Sequence, residues 1–349
     1  MIYSDSRPKS PLLKLIPILL LLAPGALYSQ DDQALIEWID GVLEGPERQL
    51  ANYGFDPASS VISRVKTPNR HFLAYIQTVE PQAKPAQVPS DEELELIEGA
   101  INLLPPLLGQ IARESVIEIT FVENLGSSGW TDWVVDDQGD LYCVVAIDRQ
   151  VLSMGLGKWL ELRENTCFNE DSTGITIEID TGTKYTGFLG ILLHELTHAA
   201  DCILNITPFV EPSIYALNVK QQKGLRASYP YIEDVWEDMY TPVSSYDFAL
   251  RDSLTFYRSA GSRKLAAADA VLVFEQLEAT PFVSLFGSRN WAEDLAEMVM
   301  FYHLTQVLDQ PYTITITEKR KQISIHQPMQ HEAARARFAH MQMFYAREQ

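Results

Sequence analysis

The pattern of hydrophobic and polar positions predicts three β-strands in the middle of the chain. The strands cover residues 116–122, 141–147 and 174–180, and all three are rich in β-branched residues. After the third strand the alternation stops, and a long apolar run extends from Thr186 to Leu204. A run that is apolar on all sides is typical of a buried helix. The sequence therefore predicts an α+β fold in which a small mixed sheet precedes a helix inside the core.

Helical periodicity predicts further helices before and after these elements. Ser90 precedes Glu93 by three residues, which is the spacing of a capping box. Asn290 precedes a helix whose first turn is acidic, as expected for a capped helix start. The further predicted helices cover residues 30–45, 90–104, 264–279, 290–304 and 330–346, and one more strand covers 313–317. The C-terminal part is therefore predicted to be mainly helical.

The first 29 residues have the pattern of a secretory signal peptide. Basic residues precede a short apolar run at 15–23, and a turn-prone stretch ends at Ser29. The apolar run is too short and too interrupted by prolines for a transmembrane helix, although an uncleaved anchor is the alternative. We therefore expect an exported protein, periplasmic or secreted, with no stable membrane insertion after residues 1–29 are removed.

Residues 30–90 differ from the rest of the chain, because six prolines interrupt a weakly periodic sequence. The stretch from Pro81 to Ser90 is typical of a linker. We interpret residues 30–90 as an N-terminal accessory segment or a propeptide, and residues 91–349 as the main domain.

Composition and charge limit the partners of the chain. Hydrophobic residues make up 46% and charged residues 21% of its 349 residues, which allows a sizeable core. The formal net charge of −20 disfavours nucleic acid and anionic membrane surfaces, because both are themselves negative.

Three cysteines, Cys143, Cys167 and Cys202, follow the predicted signal. An oxidising compartment permits one disulfide and one free thiol. We predict that Cys143 pairs with Cys167, because both lie in the strand-rich stretch before the buried helix. Cys202 lies on that helix and is interpreted as a small buried residue.

The buried helix contains the motif His194-Glu195-Leu196-Thr197-His198. Histidines four residues apart lie on one helix face, so that both rings can bind one Zn²⁺ ion. The glutamate beside the first histidine can then reach a water on the metal. Such polar residues are costly in an apolar helix unless they have partners. The sequence therefore predicts one zinc ion bound by His194 and His198, and the alternative is an accidental motif.

A catalytic zinc ion usually has a third protein ligand. Asp201 and Leu204 stand where the extended histidine form of the motif needs glycine and histidine, so that form is excluded. Glu293 and Glu297 lie four residues apart on one face of a predicted helix, which makes them the candidates. Asp201 lies two turns after His194 on the same face, and is a candidate to support that ring.

Together, the two motifs resemble those of the gluzincin clan of zinc metallopeptidases, in which a later glutamate completes the H-E-x-x-H site. The end of the second motif, Ala296-Glu297, is similar to the lethal-factor-type branch. The resemblance covers residues 175–204 and 285–304, and it implies a zincin-like fold with an inserted segment between the motifs. It also implies that Glu293 is the third metal ligand and that Glu297 orients one histidine ring from behind.

The same resemblance implies an edge strand beside the active-site helix that pairs with an extended substrate, and the strand at 141–147 or the one at 175–179 would have this role. It further implies a side chain that donates a hydrogen bond to the oxyanion of the reaction. The candidates for this donor are Tyr240, Tyr246, Tyr302 and His303.

The expected activity is hydrolysis of a peptide or protein substrate, more as an endopeptidase than as an exopeptidase. Glu195 is expected to act as general base for a zinc-activated water. The alternatives are a catalytically inactive zincin-fold binding protein and a structural exported domain with an accidental motif. The intact Glu195 favours the enzyme, because a protein without activity need not retain the base.

Overall fold

The computed structural model describes residues 41–42, 44–169, 173–210, 228–257 and 264–346. The predicted signal peptide and most of the helix predicted at 30–45 lie outside these residues. The described part of the chain is a mixed α+β fold, as predicted.

Two β-sheets contain the strands of the described residues. The strands are, in chain order, β1 (Val65–Lys66), β2 (Lys84–Pro85), β3 (Val116–Glu123), β4 (Gly129–Val135), β5 (Leu141–Asp148), β6 (Ile175–Asp180), β7 (Thr313–Glu318) and β8 (Lys321–His326). The larger sheet has the order β1-β3-β5-β4, with β2 also paired to β3, and the smaller sheet has the order β6-β7-β8. β3 runs parallel to β1 and β5, whereas β4 is antiparallel to β5.

The helices pack against the sheets and against one another. Those in the described residues are α1 (Arg70–Val79), α2 (Asp91–Ile101), α3 (Pro106–Glu114), α4 (Leu156–Asn165), α5 (Gly187–Leu204), α6 (Ala270–Leu277), α7 (Trp291–Tyr302), α8 (Glu332–Ala336) and α9 (Phe338–Met341). The predicted caps are confirmed, since Ser90 and Glu93 form a capping box and Asn290 accepts hydrogen bonds from the first turn of α7. α5 is the predicted buried helix.

β5 is buried on both faces. Cys143, Val145 and Ile147 belong to the large hydrophobic cluster that includes α5, whereas Val144 and Ala146 belong to a second cluster on the other face. Side chains alternate between the two faces of a strand, so a continuous apolar run fits a strand that is covered on both sides. β5 lies between β3 and β4, so the prediction of an edge strand in this segment is wrong.

α5 lies in the core, where it packs against α3, α4, α7, β4 and β5. Its residues from Gly187 to Thr197 are all buried. Among the described residues, α5 is the one helix whose length and composition would allow it to cross a membrane, and 78% of it is buried inside the protein. Such burial is what core packing of an apolar helix produces.

Residues 44–90 pack against the same sheet as the later strands. β1 and β2 both pair with β3. Phe72 and Ile76 of α1 lie in the second hydrophobic cluster with residues of β3 and β5. The guanidinium of the buried Arg64 donates a hydrogen bond to the carbonyl oxygen of Val116 at 2.7 Å. The predicted accessory segment is therefore in direct contact with the main domain.

Several elements differ from the prediction. β4 was not predicted, because a glycine and an aspartate interrupt its strand-forming residues. Helices α1 and α4 were not predicted either, although α1 is amphipathic and begins after the capping residue Asn69. The helix predicted at 264–279 is shorter, and the one predicted at 330–346 is divided into short helical turns that include α8 and α9.

The predicted pairing of Cys143 with Cys167 is wrong. Both side chains are buried and free. The cysteine that packs against the hydrophobic cluster of Cys143 and raises the pKa of its thiol is Cys202. The reason is that Cys143 is on the face of β5 that is covered by α5, the helix that contains Cys202.

Candidate metal centre

α5 and α7 bring three metal-binding side chains together. Nε2 of His194 and Nε2 of His198 lie 3.1 Å apart. Oε2 of Glu293 lies 3.0 Å from Nε2 of His194 and 3.3 Å from Nε2 of His198. Within the described part of the chain, this is the one group of three or more histidine, cysteine or acidic side chains that could hold a metal ion.

The spacing of these three atoms fits a small tetrahedral ion. Ligands at zinc distances of about 2.0–2.1 Å are separated by about 3.3 Å along each edge of a tetrahedron. The observed separations of 3.0, 3.1 and 3.3 Å are close to this value. Two imidazoles and one carboxylate are also a donor set that catalytic zinc sites use. The residues present therefore fit an ion such as zinc.

Glu297 lies behind the ring of His194. Its Oε1 is 2.9 Å from Nδ1 of His194, so the opposite ring nitrogen faces the cluster. The Glu297 carboxylate also accepts hydrogen bonds from two nitrogens of Arg163 at 2.8 and 2.5 Å, and from the hydroxyl of Ser284 at 2.6 Å. A carboxylate on Nδ1 fixes the ring orientation and the tautomer that leaves Nε2 for a metal.

Burial and hydrogen bonding have opposite effects on the charges of this network. Burial alone would lower the pKa of His194, but its hydrogen bonds to Glu293 and Glu297 raise it to about 10. Burial would raise the pKa of Glu293, but hydrogen bonds from the two histidines hold it well below its usual range. Burial likewise opposes ionisation of Glu297, yet Arg163 and His194 lower its pKa to about 2. At neutral pH both glutamates are therefore ionised and His194 is protonated, so a metal ion that binds Nε2 of His194 would have to displace its proton.

Glu195 is buried beside the cluster, and β4 holds its carboxylate. The hydroxyl of Thr131 donates a hydrogen bond to Oε2 of Glu195 at 2.6 Å. A Cβ atom at Gly129, at the start of β4, would overlap with the Glu195 carboxylate and would force that carboxylate to shift. Burial raises the pKa of Glu195, while the charges of His194 and His198 act against this shift. A raised pKa suits a carboxylate that exchanges protons near neutral pH.

The cluster lies in the wall of a cavity of about 390 Å³. α5 contributes the two histidines to this wall, and β4 contributes residues 129–133. β4 is the edge strand of the larger sheet, and its outer side makes one bridge within the described residues, between Gln49 and Val135. The edge available to an extended chain is thus β4. The other predicted edge, at 175–179, lies in β6 of the smaller sheet and does not line the cavity.

Asp201 does not support His194. Its carboxylate accepts hydrogen bonds from the backbone N–H and the hydroxyl of Thr207, both at 2.6 Å. The two ring nitrogens of His194 face Glu293 and Glu297 instead. The physical reason is distance, because seven residues of α-helix span about 10 Å. Asp201 therefore fixes the chain that leaves α5.

None of the four predicted oxyanion donors lines the cavity. Tyr240 is exposed, and Tyr246 packs against the large hydrophobic cluster. Tyr302 accepts a hydrogen bond from Gln342. The last candidate, His303, is buried, with its Nδ1 2.8 Å from the hydroxyl of Tyr345. The four candidates for the oxyanion donor therefore lie outside the wall of this cavity.

Two donors in the cavity wall were missed by the sequence reasoning. Tyr257 lines the cavity, and its backbone φ of 57° lies in the left-handed region that tyrosine rarely adopts. Burial raises the pKa of Tyr257 to about 12, so its hydroxyl stays protonated at neutral pH. Arg289 also lines the cavity, with Nη1 4.0 Å from Oε1 of Glu293. The i,i+4 spacing to Glu293 was a usable signal for Arg289, whereas Tyr257 was one of many aromatic residues between 205 and 262.

Comparisons of the chain with protein-family models, with curated proteins and with solved structures found no match. The functional interpretation therefore rests on the site itself: the three-residue cluster, the buried Glu195 and the cavity that they line.

Proposed function

We propose that the protein is a zinc-dependent peptidase with a zincin-like fold that hydrolyses bonds within polypeptide substrates. The observation that carries the proposal is the position of Glu195 beside three donor atoms with tetrahedral spacing, all in the wall of one cavity. In catalytic zinc sites, three protein ligands leave one position for water or substrate. The resemblance of both motifs to those of gluzincins supports the same conclusion.

Three residues hold the zinc ion in this proposal, namely His194, His198 and Glu293. Bound zinc would supply Lewis-acid chemistry, because it lowers the pKa of a water to about 7 and polarises a carbonyl group. Glu195 accepts the proton of the attacking water and delivers it to the leaving amine. The hydroxyl of Thr131 holds the Glu195 carboxylate in position for both transfers.

An extended peptide would bind along β4. Main-chain hydrogen bonds to a strand edge recognise an extended chain with little dependence on its sequence. The donor to the oxyanion would be Tyr257, which lines the same cavity and keeps its proton. Its hydroxyl donates to Oγ of Ser128 at 3.1 Å and would have to turn from Ser128 to the substrate. Arg289 would add positive charge beside Glu293.

Metal analysis and peptide hydrolysis test the proposal together. Protein reconstituted with zinc is expected to hold one ion per chain and to cleave internal bonds in a mixed peptide library, and a chelator is expected to remove both properties. Glu195→Gln is expected to keep the zinc and to lower kcat by roughly 10²–10⁴-fold, because it removes the general base and leaves the ligands intact.

Glu293→Ala distinguishes the role of a metal ligand from that of the general base. In this variant zinc affinity and hydrolysis are both expected to fall, whereas Glu195→Gln is expected to keep the zinc. Glu98→Gln, on the exposed face of α2, is the control and is expected to change neither. If the wild-type protein bound zinc but hydrolysed no peptide, the proposed peptidase activity would be wrong and zinc binding alone would remain. Wild-type protein that holds no zinc would overturn the metal centre as well.

A further inference from the structure

Cys143 and Cys202 form a pair of thiols between the larger sheet and the helix of the metal centre. Cys143 lies in β5 and is completely buried. Cys202 lies near the end of α5, one turn after His198, and is partly exposed. The side chain of Cys202 packs against the hydrophobic cluster that contains Cys143, and its thiol raises the pKa of Cys143. Two elements that are distant in the sequence therefore bring their cysteines together between the sheet and α5.

Both thiols belong to the wall of the 390 Å³ cavity, whereas Cys167 does not. A small molecule in the cavity can therefore reach the more exposed thiol, that of Cys202. Among the described residues, neither cysteine belongs to a group of three side chains that could hold a metal ion. The chemistry that the pair offers is thus oxidation to a disulfide and not chelation of an ion.

We propose that Cys143 and Cys202 are a redox-active pair that forms a reversible disulfide in the cavity wall, by exchange with small-molecule disulfides. The thiolate of Cys202 attacks one sulfur of the small disulfide and releases the first small thiol. The thiolate of Cys143 then attacks the sulfur of Cys202 and releases the second. In balance, two protein thiols become one disulfide, and one small disulfide becomes two thiols that carry the two protons.

The environment of the pair supports this order of attack. The hydrogen bond with Cys202, together with burial, raises the pKa of Cys143 well above its usual value. Cys143 is therefore a weak nucleophile until Cys202 has reacted. The new bond brings the two sulfurs to about 2.05 Å and joins β5 to α5 one turn from His198. The proposal does not depend on the proposed peptidase activity, because both thiols lie outside the metal cluster.

Thiol counting after equilibration with oxidised or reduced glutathione tests the pair. The chain has three cysteines, so the reduced protein is expected to react at three thiols once it is denatured. The oxidised protein is expected to react at one thiol, since 3 − 2 = 1. A proteolytic digest is expected to contain a peptide that links Cys143 to Cys202, and reduced glutathione is expected to restore all three thiols.

Single variants separate the two thiols. Cys143→Ser is expected to retain one glutathione on Cys202, because the resolving thiol is absent, and Cys202→Ser is expected to stay unmodified. Cys167→Ser is the matched control, and it is expected to lose both remaining thiols on oxidation. Three thiols in the oxidised wild type, a linked peptide that contains Cys167, or equal adducts on the first two variants would overturn the proposal. The wild-type digest decides the question if a variant fails to fold.

Discussion

Two buried carboxylates lie three residues apart on α7, and each is paired with a buried arginine. Asp294 accepts hydrogen bonds from two nitrogens of Arg337 at 2.8 and 2.6 Å. Glu297 accepts hydrogen bonds from two nitrogens of Arg163 at 2.8 and 2.5 Å. Both carboxylates are completely buried, and both arginines are nearly so. By the geometry of the ion pair alone, the two regions are equivalent.

The remaining partners of Asp294 serve packing. Its carboxylate accepts a hydrogen bond from the indole N–H of Trp236 at 2.9 Å, and its backbone carbonyl accepts one from the hydroxyl of Tyr231 at 3.1 Å. These contacts, with Arg337, join α7 to two other segments of the chain. None of these residues lines the cavity.

The remaining partners of Glu297 lead to the candidate metal centre. Its carboxylate contacts Nδ1 of His194, and its arginine contacts a second buried carboxylate, that of Glu164. A buried carboxylate–arginine pair is therefore no evidence for a functional site by itself. The third partner decides whether the pair acts on a metal ligand or on packing.

Asp294→Ala is expected to have the largest effect on stability. The change leaves the guanidinium of Arg337 buried without its counter-charge, and loss of one member of a buried pair costs about 3–5 kcal/mol. The metal cluster does not contact Asp294, so the folded variant is expected to retain its zinc affinity. Urea unfolding measures the free energy of unfolding, and zinc titration of the folded protein measures the affinity.

Asp252→Ala is the matched control for this prediction. Asp252 also pairs with an arginine, Arg251, but its side chain is 83% exposed. Exposed ion pairs contribute little, so little change in stability is expected. Equal losses in the two variants, or a parallel loss of zinc affinity in Asp294→Ala, would contradict the distinction between packing and metal support.

The sequence predicted the start of α7 but not its arginine partners. Asn290 as a cap and acids spaced four residues apart are local signals, which a helix reveals within its own residues. Arg163 lies 134 residues from Glu297, and Arg337 lies 43 residues from Asp294. Such pairs form only in the tertiary fold, and periodicity carries no information about them.

The strand beside the candidate metal centre, β4, likewise could not be predicted from the sequence pattern. The continuous apolar run at 141–147 predicted a strand correctly, and it also indicated burial on both faces, which argues against an edge. The true edge, β4, contains Gly129 and Asp132, and β5 is the one strand of the described residues that pairs along it. Its residues partly face a cavity, so its hydrophobic pattern is weak. The motif of α5 was readable because all of its residues lie on one helix.

Glu164→Gln tests how the second carboxyl group beside Arg163 affects the pH dependence of the free energy of unfolding. Burial raises the pKa of Glu164 from its ordinary 4.5 to about 7, although Arg163 opposes this shift. The folded state therefore binds more protons than the unfolded state between these two values, and the free energy of unfolding falls as pH rises through this window. A pKa difference of this size corresponds to on the order of 3 kcal/mol.

Glutamine cannot ionise, so Glu164→Gln is expected to lose this part of the pH dependence. Urea unfolding of both proteins at pH 5 and pH 8 measures it. Parallel stability curves for the two proteins would refute a raised pKa for Glu164.

Glu297→Gln tests the link from the arginine pair to the metal. The amide keeps the shape of the side chain but lacks the charge that holds Nδ1 of His194, so zinc affinity is expected to fall by about 10–100-fold. The loss of stability is expected to be smaller than in Asp294→Ala, because Arg163 retains Glu164 as a partner. Competition with a chromophoric chelator measures the affinity.

Glu278→Gln is the control for a carboxylate–imidazole contact outside the metal cluster. Oε1 of Glu278 lies 2.8 Å from Nδ1 of His326, which is similar to the contact of Glu297 with His194. Zinc affinity is expected to be unchanged in this variant. If both glutamine variants bound zinc equally well, the ring of His194 would not need its carboxylate.

Ser284→Ala is expected to have the smallest effect, and it separates a neutral partner of Glu297 from the charged ones. The Ser284 hydroxyl donates to Oε2 of Glu297 at 2.6 Å and accepts from the N–H of Gly287 at 2.9 Å. Its removal leaves a buried N–H unpaired, at a cost of about 1–2 kcal/mol in urea unfolding. Arg163 and His194 still hold the carboxylate, so zinc affinity is expected to stay within a factor of about 3, or roughly 0.7 kcal/mol. A loss of about tenfold, as expected for an essential partner of a ligand, would instead assign the orientation of Glu297 to the hydroxyl. The difference between the two arginine pairs would then no longer explain why one of them serves the metal centre.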